Sequence, residues 1–258
     1  MVRYTLYMGE KNMNKKPITI YWSPYTSIDL DGSDWSFLYP KPKILFSDLL
    51  ENKSKQADNK TYLSCPAVAN KFKKMFTFYS PMSCSYKYDF LSNPKTLEQL
   101  TDNYISVNPP RQPAISNGPS LEFSLKYIMF ADSPVNAYFT PPMFHEPRYM
   151  KYGSVIPGEF DIGNWFRPYN FELQTWSQSG EIHIQENEPL FYAEIKTDRP
   201  IILKQFELSN RLVGYAKATV GTTELFGRGQ SLASRYSKFR NIGMREKILT
   251  EIKKNLID

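Results

Sequence analysis

Residues Gly180–Leu208 read GEIHIQENEPLFYAEIKTDRPIILKQFEL and decide the fold class. In the first part of this stretch Ile182 and Ile184 alternate with polar residues, which is the period of a strand with one buried face. Two further apolar runs, Leu190–Ile195 and Pro200–Phe206, are set apart by polar breaks rich in turn-forming residues. Three short strands on a spacing of about ten residues predict an antiparallel β meander.

The composition is that of a globular protein with a bias towards strands. Of the 258 residues, 41% are hydrophobic and 22% are charged, which is enough apolar material for a large core. Aromatic residues make up 15%, and these favour strands and also form contact surfaces. Nineteen prolines against twelve glycines indicate extended connections and stiff turns. Long helices are therefore not expected to dominate.

Further strands are predicted on both sides of the proline-rich loop at residues 108–120. Alternating patterns predict strands at Pro17–Pro24 and Leu121–Ala131. The alternating stretches Lys71–Tyr79 and Pro81–Phe90 predict a hairpin that turns near the proline between them. In total, about six strands are expected between residues 121 and 206.

Helices are predicted in both halves of the chain. Phe46–Lys55 has a helical pattern in which Ser47 is the expected cap. After Leu208 the pattern changes, and an amphipathic helix is predicted at Met244–Ile257, with a weaker one at Leu225–Phe239. The apolar stripe of the last helix consists of Met244, Ile248, Ile252 and Leu256. We expect this stripe to pack on the sheet.

These patterns predict a mainly β fold, an antiparallel sandwich or a jelly-roll-like fold, with a C-terminal helical segment; an α+β fold is the alternative. We expect a weakly ordered lead at residues 1–16, a β-rich domain at 17–208 and a helical segment at 209–258 packed on that domain. Met13 lies just before the first strand and is an alternative to Met1 as the start of translation.

No segment approaches the ~20 consecutive apolar residues that a membrane-spanning helix needs. The N-terminal residues also lack the apolar core and cleavage site of a signal peptide, so we expect a protein that is not secreted by that route. The two cysteines, Cys65 and Cys84, form no recognisable framework and are expected to be reduced thiols. A bridge between them would require neighbouring strands to bring them together.

Histidine is scarce, and this limits the chemistry available to the chain. The two histidines are His145, in a proline-rich loop, and His183, in a predicted strand. A mononuclear iron or zinc site takes most of its ligands from histidine, and the sequence has no H-x-H or H-x-D/E pair. It also has no G-x-S-x-G nucleophile motif. We therefore expect no cofactor, no metal and no catalytic residues; the alternative is a jelly-roll enzyme resembling non-haem iron oxygenases, with both histidines as ligands.

Basic and aromatic residues supply the candidate binding positions. The net charge is +6, and cations alternate with aromatic residues towards the C-terminus, a pattern that can follow a nucleic-acid backbone and stack on bases. The candidate binding residues are Trp165, Arg167, Tyr169, Arg228, Arg235, Tyr236, Lys238 and Arg240. Nucleic acid is accordingly kept as an alternative partner.

Three segments carry a resemblance to a group of viral proteins. These are WSFLYPKP (Trp35–Pro42), SCPAV (Ser64–Val68) and ENEPLFYAEIKTDRPIILKQF (Glu186–Phe206). Together they resemble uncharacterised β-rich proteins from tailed phages of marine cyanobacteria. The resemblance implies a viral origin, a location in the host cytoplasm or the virion and a β-rich fold, and it carries over no catalytic residue.

The expected function is therefore that of a non-catalytic β-rich binding protein or a virion-associated accessory protein. Its expected partner is another protein or a component of the virion. The excess of aromatic residues and the lack of catalytic motifs favour this class over the enzyme and nucleic-acid alternatives.

Overall fold

The computed structural model describes residues 15–26, 35–51, 62–90, 105–108, 117–220 and 232–257. Most of the predicted lead at residues 1–16, including Met13, lies outside the described residues. So do Arg228, the side chain of Arg235 and the first part of the helix predicted from Leu225.

The described part of the chain is built mainly from strands. They are β1 (Ile18–Pro24), β2 (Lys43–Ile44), β3 (Met75–Tyr79), β4 (Cys84–Asp89), β5 (Ile105–Asn108), β6 (Ser120–Ala131), β7 (Asn136–Thr140), β8 (Gly153–Val155), β9 (Gly158–Asp161), β10 (Pro168–Thr175), β11 (Ser179–Ile184), β12 (Pro189–Ile195), β13 (Ile201–Phe206) and β14 (Leu256–Ile257). The α-helices are α1 (Leu45–Glu51), α2 (Pro66–Phe72), α3 (Asn210–Val220), α4 (Leu232–Asn241) and α5 (Met244–Lys254). Short 3-10 turns occur at Ser36–Leu38, Tyr62–Ser64 and Arg148–Lys151. A mainly β fold with C-terminal helices is thus confirmed.

The strands form one large sheet and two smaller ones. The large sheet has the order β14-β13-β1-β6-β10-β8, and β5 also pairs with β6. A five-stranded sheet has the order β2-β3-β12-β7-β9, and β4 pairs with β11 in a two-stranded sheet. Pairing is antiparallel except between β1 and β13, which run parallel.

The large sheet and the five-stranded sheet enclose the main core, and helices cover their outer faces. Along β6, Phe123, Tyr127 and Met129 belong to the core that the sheets share, whereas Ile128 and Phe130 contact the C-terminal helices. This is the alternation of successive side chains along a strand. The hydroxyl of Tyr127 crosses the core and donates a hydrogen bond of 2.7 Å to the carbonyl of Tyr79 on β3.

The predicted meander is wrong, although its three strands exist. Strands β11, β12 and β13 follow one another along the chain but lie in three different sheets. The alternation of Ile182 and Ile184 with exposed residues is confirmed. In contrast, Leu190–Ala193 is buried on both faces, because α1 and α2 cover the outer side of β12.

The hairpin predicted for Lys71–Phe90 is also wrong. Its first two residues end helix α2, and β3 and β4 belong to different sheets. Cys65 lies just before α2, not on a strand, and both cysteines are free thiols. In the helix predicted for Phe46–Lys55, the first residue is Leu45, so Ser47 lies inside the first turn and not at the cap.

The C-terminal helices pack on the large sheet. Ile248 and Ile252 of α5 are fully buried in a cluster with Phe130 and Phe206 of the sheet, as the apolar stripe predicts. The helix ends at Lys254, earlier than predicted, because Leu256 and Ile257 pair with the end of β13 as a short strand. Leu256 is only partly buried. Helix α3 was not predicted.

None of the helices in the described segments is both long enough and apolar enough to cross a membrane.

Candidate functional site

A cleft of about 680 Å³ opens where helix α1 meets the five-stranded sheet. Its walls come from the segment before β2, from α1, from the turn at Tyr62–Ser64, from the loop after β7 and from the turn before β12. The lining residues are Pro40, Lys41, Lys43, Asp48, Leu49, Tyr62, Leu63, Tyr79, Phe144, His145, Asn187 and Pro189.

Helix α1 places a carboxylate at the buried end of this cleft. Its buried residues are Leu45, Asp48 and Leu49, which share one face of the helix at the i, i+3, i+4 spacing. The two leucines pack with Phe72, Met75 and other residues of the α1–α2 cluster. This packing carries the Asp48 side chain, only 1% exposed, in among side chains of the sheet.

The imidazole of His145 faces this carboxylate. Its Nε2 atom lies 2.9 Å from Oδ2 of Asp48, and its side chain is 10% exposed. The two groups are not aligned for a full hydrogen bond, so their contact is a close polar one. A buried carboxylate without polar neighbours would be costly, and His145 is the nearest of those neighbours that the contact distances give.

Polar neighbours keep Asp48 ionised in spite of its burial. Burial alone would raise the pKa of Asp48, but the adjacent His145, Tyr79 and Thr77 side chains outweigh it and hold that pKa below its usual value. Burial and the neighbouring Asp48 carboxylate, in turn, raise the pKa of Tyr79 well above its ordinary value. The phenol of Tyr79 therefore stays neutral beside the carboxylate.

The second nitrogen of His145 is also engaged by the protein. Its Nδ1 atom lies 2.7 Å from the hydroxyl oxygen of Tyr192, and the same oxygen accepts a hydrogen bond of 3.1 Å from the backbone N–H of Phe144. Burial raises the pKa of Tyr192, whose side chain is inaccessible to solvent. Asp48, His145 and Tyr192 thus form a buried polar chain beneath the cleft, in which both imidazole nitrogens have protein partners.

Aromatic rings form one wall of the cleft above this chain. The ring centroids of Tyr62 and Phe144 are 5.8 Å apart, and Phe144 lies 4.7 Å from Phe72 and 6.2 Å from Tyr192. Tyr62 is 52% exposed and Phe144 is 38% exposed. These two rings rest on the buried rings of Phe72 and Tyr192 and stay partly open to solvent.

Two lysines also line the cleft. Lys43 lies 3.0 Å from Glu51 and 3.9 Å from Asp48, so nearby carboxylates partly neutralise its charge. Lys41 is exposed and has no ion pair with any residue in the described segments. Lys41 therefore gives the lining a positive charge that no described carboxylate pairs with.

Two residues in the loops beside the cleft have left-handed backbone. Glu146, next to His145, has a φ of 48°, and Asn187 of the lining has a φ of 62°. Asparagine tolerates this region, whereas a glutamate there is uncommon and costs roughly 1 kcal/mol or more. The surrounding structure therefore holds the His145 loop in a strained conformation.

The predicted binding residues lie elsewhere, over the junction of the sheet with α4. Trp165 stacks on Tyr236 with ring centroids 4.1 Å apart, and Arg167 donates a hydrogen bond of 3.2 Å to the Tyr236 hydroxyl. Tyr236 and Tyr169 are buried, and Tyr169 stacks on Phe139 in the main core. As a correction, these two rings are packing residues and offer no contact surface.

Of the remaining predicted positions, Lys238 and Arg240 are exposed on α4. Since Tyr236 and Phe239 are buried, no base-stacking ring accompanies these two cations on that helix. Nucleic-acid binding through the C-terminal helices stays a prediction and rests on charge alone.

The two histidines do not share a site. His145 lines the cleft, whereas His183 lies half exposed on β11 beside Ser85 and lines a separate pocket. In the described parts of the chain, no group of three or more His, Cys, Asp or Glu side chains is placed to hold a metal ion. Burial raises the pKa of the Cys84 thiol to about 11, which makes it a poor nucleophile at neutral pH.

Sequence reasoning did not find the partner of His145. A search for a carboxylate next to each histidine missed Asp48, which lies on a helix from a distant part of the chain. The available signal was the position of Asp48 between Leu45 and Leu49 on the apolar face of α1, where an unpaired charge is not tolerated.

No family model, curated protein or solved structure matches this chain.

Proposed function

We propose that the protein is a non-catalytic binding protein whose cleft takes a small organic anion with a flat, apolar body. The observation that carries this proposal is that one cleft combines the partly exposed rings of Tyr62 and Phe144 with Lys41, a cation that has no ion pair among the described residues. A flat ring would lie against the aromatic wall, and a carboxylate or phosphate on that ring would face the lysine.

The size and the lining of the cleft support a small-molecule ligand. Its volume of about 680 Å³ falls in the range of roughly 300–1,000 Å³ typical of ligand pockets. Leu49, Leu63 and the prolines at positions 40 and 189 add apolar surface. Such sites combine a mainly apolar lining with a few polar groups that fix the orientation of the ligand.

The polar chain beneath the cleft favours binding over acid–base chemistry. A general base needs a ring nitrogen within hydrogen-bonding reach of the substrate. Both nitrogens of His145 face protein atoms, and the hydroxyl of Tyr192 is buried and already accepts a backbone N–H. We assign a structural role to the polar chain of Asp48, His145 and Tyr192. It holds in place the loop that carries Phe144 and His145.

We include in the proposal an accessory role in a phage particle or an infected host cell. This part is supported by the resemblance of the three quoted segments to phage proteins. A ligand site in such a protein would serve recognition and not turnover.

The test is a ligand-observed NMR screen with aromatic carboxylates, aromatic phosphates and their uncharged analogues. We expect binding by the anionic aromatic compounds and weaker binding by the uncharged ones. Tyr62→Ala and Lys41→Ala should each weaken the binding of the tightest ligand by about 1 kcal/mol, which lowers its affinity about fivefold.

Matched controls remove an exposed aromatic ring and an exposed cation away from the cleft. These are Trp176→Ala and Lys204→Ala, neither of which lines the cleft. The proposal would be contradicted if the cleft variants and the controls lost ligand affinity equally. It would also be contradicted if charged and uncharged ligands bound with the same affinity.

A further inference from the structure

A second pocket, of about 450 Å³, shares a turn with the cleft. Gln185 lines this pocket, and Asn187, two residues further along the same turn, lines the cleft. The residues around the second pocket are Ser83, Ser85, Arg148, Lys151, Tyr152, His183, Ile184 and Gln185. The charged and titratable members of this set are Arg148, Lys151, His183 and Tyr152, with no carboxylate among them.

A buried tyrosine fixes the element that carries the two cations. The 3-10 turn Arg148–Lys151 packs against strand β11, and its Tyr149 is fully buried. The Tyr149 hydroxyl lies 2.8 Å from the carbonyl oxygens of Pro189 and Leu190, with which it hydrogen-bonds. The turn is therefore anchored at its centre, and Arg148 and Lys151 extend from it towards solvent.

Neither cation is neutralised by a neighbour. Among the described residues, the side chains of Arg148 and Lys151 have no ion pair. The nearby carboxylate of Glu188 accepts hydrogen bonds from two backbone N–H groups, those of Arg148 at 2.7 Å and Gln185 at 2.8 Å. It thereby stabilises the turn and does not pair with either cationic side chain.

The facing strand adds further polar groups. His183 on β11 and Ser85 on β4 are directly opposed across the two-stranded sheet, and the Ser85 hydroxyl lies 2.8 Å from Nδ1 of His183. Nε2 of His183 lies 3.5 Å from Glu181, whose cross-strand neighbour is Lys87. Ser83 also lines the pocket, and its hydroxyl accepts the backbone N–H of Glu186 at 2.9 Å.

From this arrangement we propose that the second pocket binds a phosphate group. An arginine presents a rigid fork of donors to phosphate oxygens, and a lysine adds a point charge. With Nδ1–H of His183 donating to the Ser85 oxygen, the Ser85 hydroxyl is a further donor on the opposite wall. The site rests on these residues alone and does not depend on a ligand in the cleft.

The same serine and histidine also invite comparison with a nucleophilic site. In such a site a buried carboxylate holds the histidine tightly, at about 2.6–3.2 Å. Here Glu181 is 55% exposed and 3.5 Å away, and His183 is 51% exposed. The geometry therefore assigns Ser85 the role of a donor to phosphate and His183 the role of orienting its hydroxyl.

The test is an NMR titration of the isotope-labelled full chain with inorganic phosphate and, in a second arm, with methyl phosphate. We expect saturable shifts of the backbone amides of residues 83–85, 148–151 and 183–185. The double variant Arg148→Ala/Lys151→Ala should weaken phosphate binding at least tenfold, and Ser85→Ala should weaken it less. Tighter binding of methyl phosphate identifies a phosphomonoester as the ligand, and tighter binding of inorganic phosphate identifies the free ion.

The control is Lys204→Ala/Lys247→Ala, which removes the same charge from exposed positions outside the pocket. The affinity of this control variant for phosphate should stay within twofold of that of the wild type. An equal loss in both double variants would show a general effect of net charge and overturn the proposal. Shifts that avoid the pocket, or that do not saturate, would overturn it as well.

Discussion

Asp48 and His145, which lie far apart in the chain, meet at the buried end of the cleft with 2.9 Å between Oδ2 of Asp48 and Nε2 of His145. One residue comes from a short helix and the other from a proline-flanked loop after β7. Their contact ties α1 to the loop that presents Phe144, and so it determines the shape of the cleft.

Asp48→Asn should lower the free energy of unfolding by about 1–3 kcal/mol at pH 7, because the variant loses the buried carboxylate and its polar contacts with His145, Tyr79 and Thr77. The folded-state pKa of Asp48 lies below its unfolded value. Its contribution is therefore present above about pH 4 and is lost as the pH falls through the folded-state pKa. Urea denaturation from pH 7 to pH 3 should show the difference between wild type and variant shrinking below about pH 4.

The control for this series is Asp198→Asn, which removes an exposed carboxylate whose pKa is also lowered, by its hydrogen bond with Lys15. This variant should be indistinguishable from the wild type at pH 7. An Asp48→Asn variant as stable as the wild type at pH 7 would contradict the role assigned to the pair.

Tyr192→Phe removes the hydroxyl that His145 and the backbone of Phe144 share. We expect a loss of about 1–2 kcal/mol in the free energy of unfolding, since a buried hydrogen-bonding group is left without its partner. Tyr138→Phe, a change on the partly exposed β7, is the matched control and should have little effect. A loss of the same size in both variants would mean that the Tyr192 hydroxyl contributes no more to stability than the hydroxyl of a partly exposed tyrosine.

The position of α5 leads to a prediction about stability. Ile252 is fully buried between the helix and the large sheet, so Ile252→Asp should destabilise the protein by about 3–5 kcal/mol, as an unpaired buried charge does. Thr250→Asp, on the exposed side of the same helix, controls for the effect of charge on the helix itself. Thermal denaturation of both variants measures the difference, and similar melting temperatures would place the helix away from the sheet.

Exhaustive chelation should leave the melting temperature unchanged. His145 and His183 line separate pockets, so no described constellation supplies the three ligands that a mononuclear iron or zinc centre needs. Elemental analysis of dialysed protein provides the second measurement. Stoichiometric metal that disappears in His145→Ala or His183→Ala would refute this prediction and favour the enzyme alternative.

The strands could be located from the sequence, but their partners could not. In Gly180–Leu208, alternation shows which residues are buried, and Ile182 and Ile184 follow it. Alternation carries no information about the neighbouring strand, and here β11 pairs with β4, while β13 lies between β1 and β14. A meander assumes that consecutive strands are neighbours, and this chain departs from that tendency.

The candidate site was less accessible to sequence reasoning than the fold. His145 was identified as one of two histidines, but its carboxylate partner comes from a distant helix and its second partner, Tyr192, from a core strand. The exposed rings of Tyr62 and Phe144 depend on tertiary packing that no local pattern records. Conversely, Tyr169 and Tyr236 have the composition of a contact surface and are buried, because aromatic residues serve cores as well as interfaces.

The proposed ligand site is the cleft above Asp48 and His145. The most direct test is a crystal structure of the protein with the tightest anionic aromatic compound from the NMR screen. The account predicts that the ligand ring lies against Tyr62 and Phe144, that its anionic group is within hydrogen-bonding distance of Lys41, and that the Asp48–His145 contact is unchanged. A ligand bound outside this cleft, or one that displaces His145 from Asp48 to reach its ring, would contradict the account.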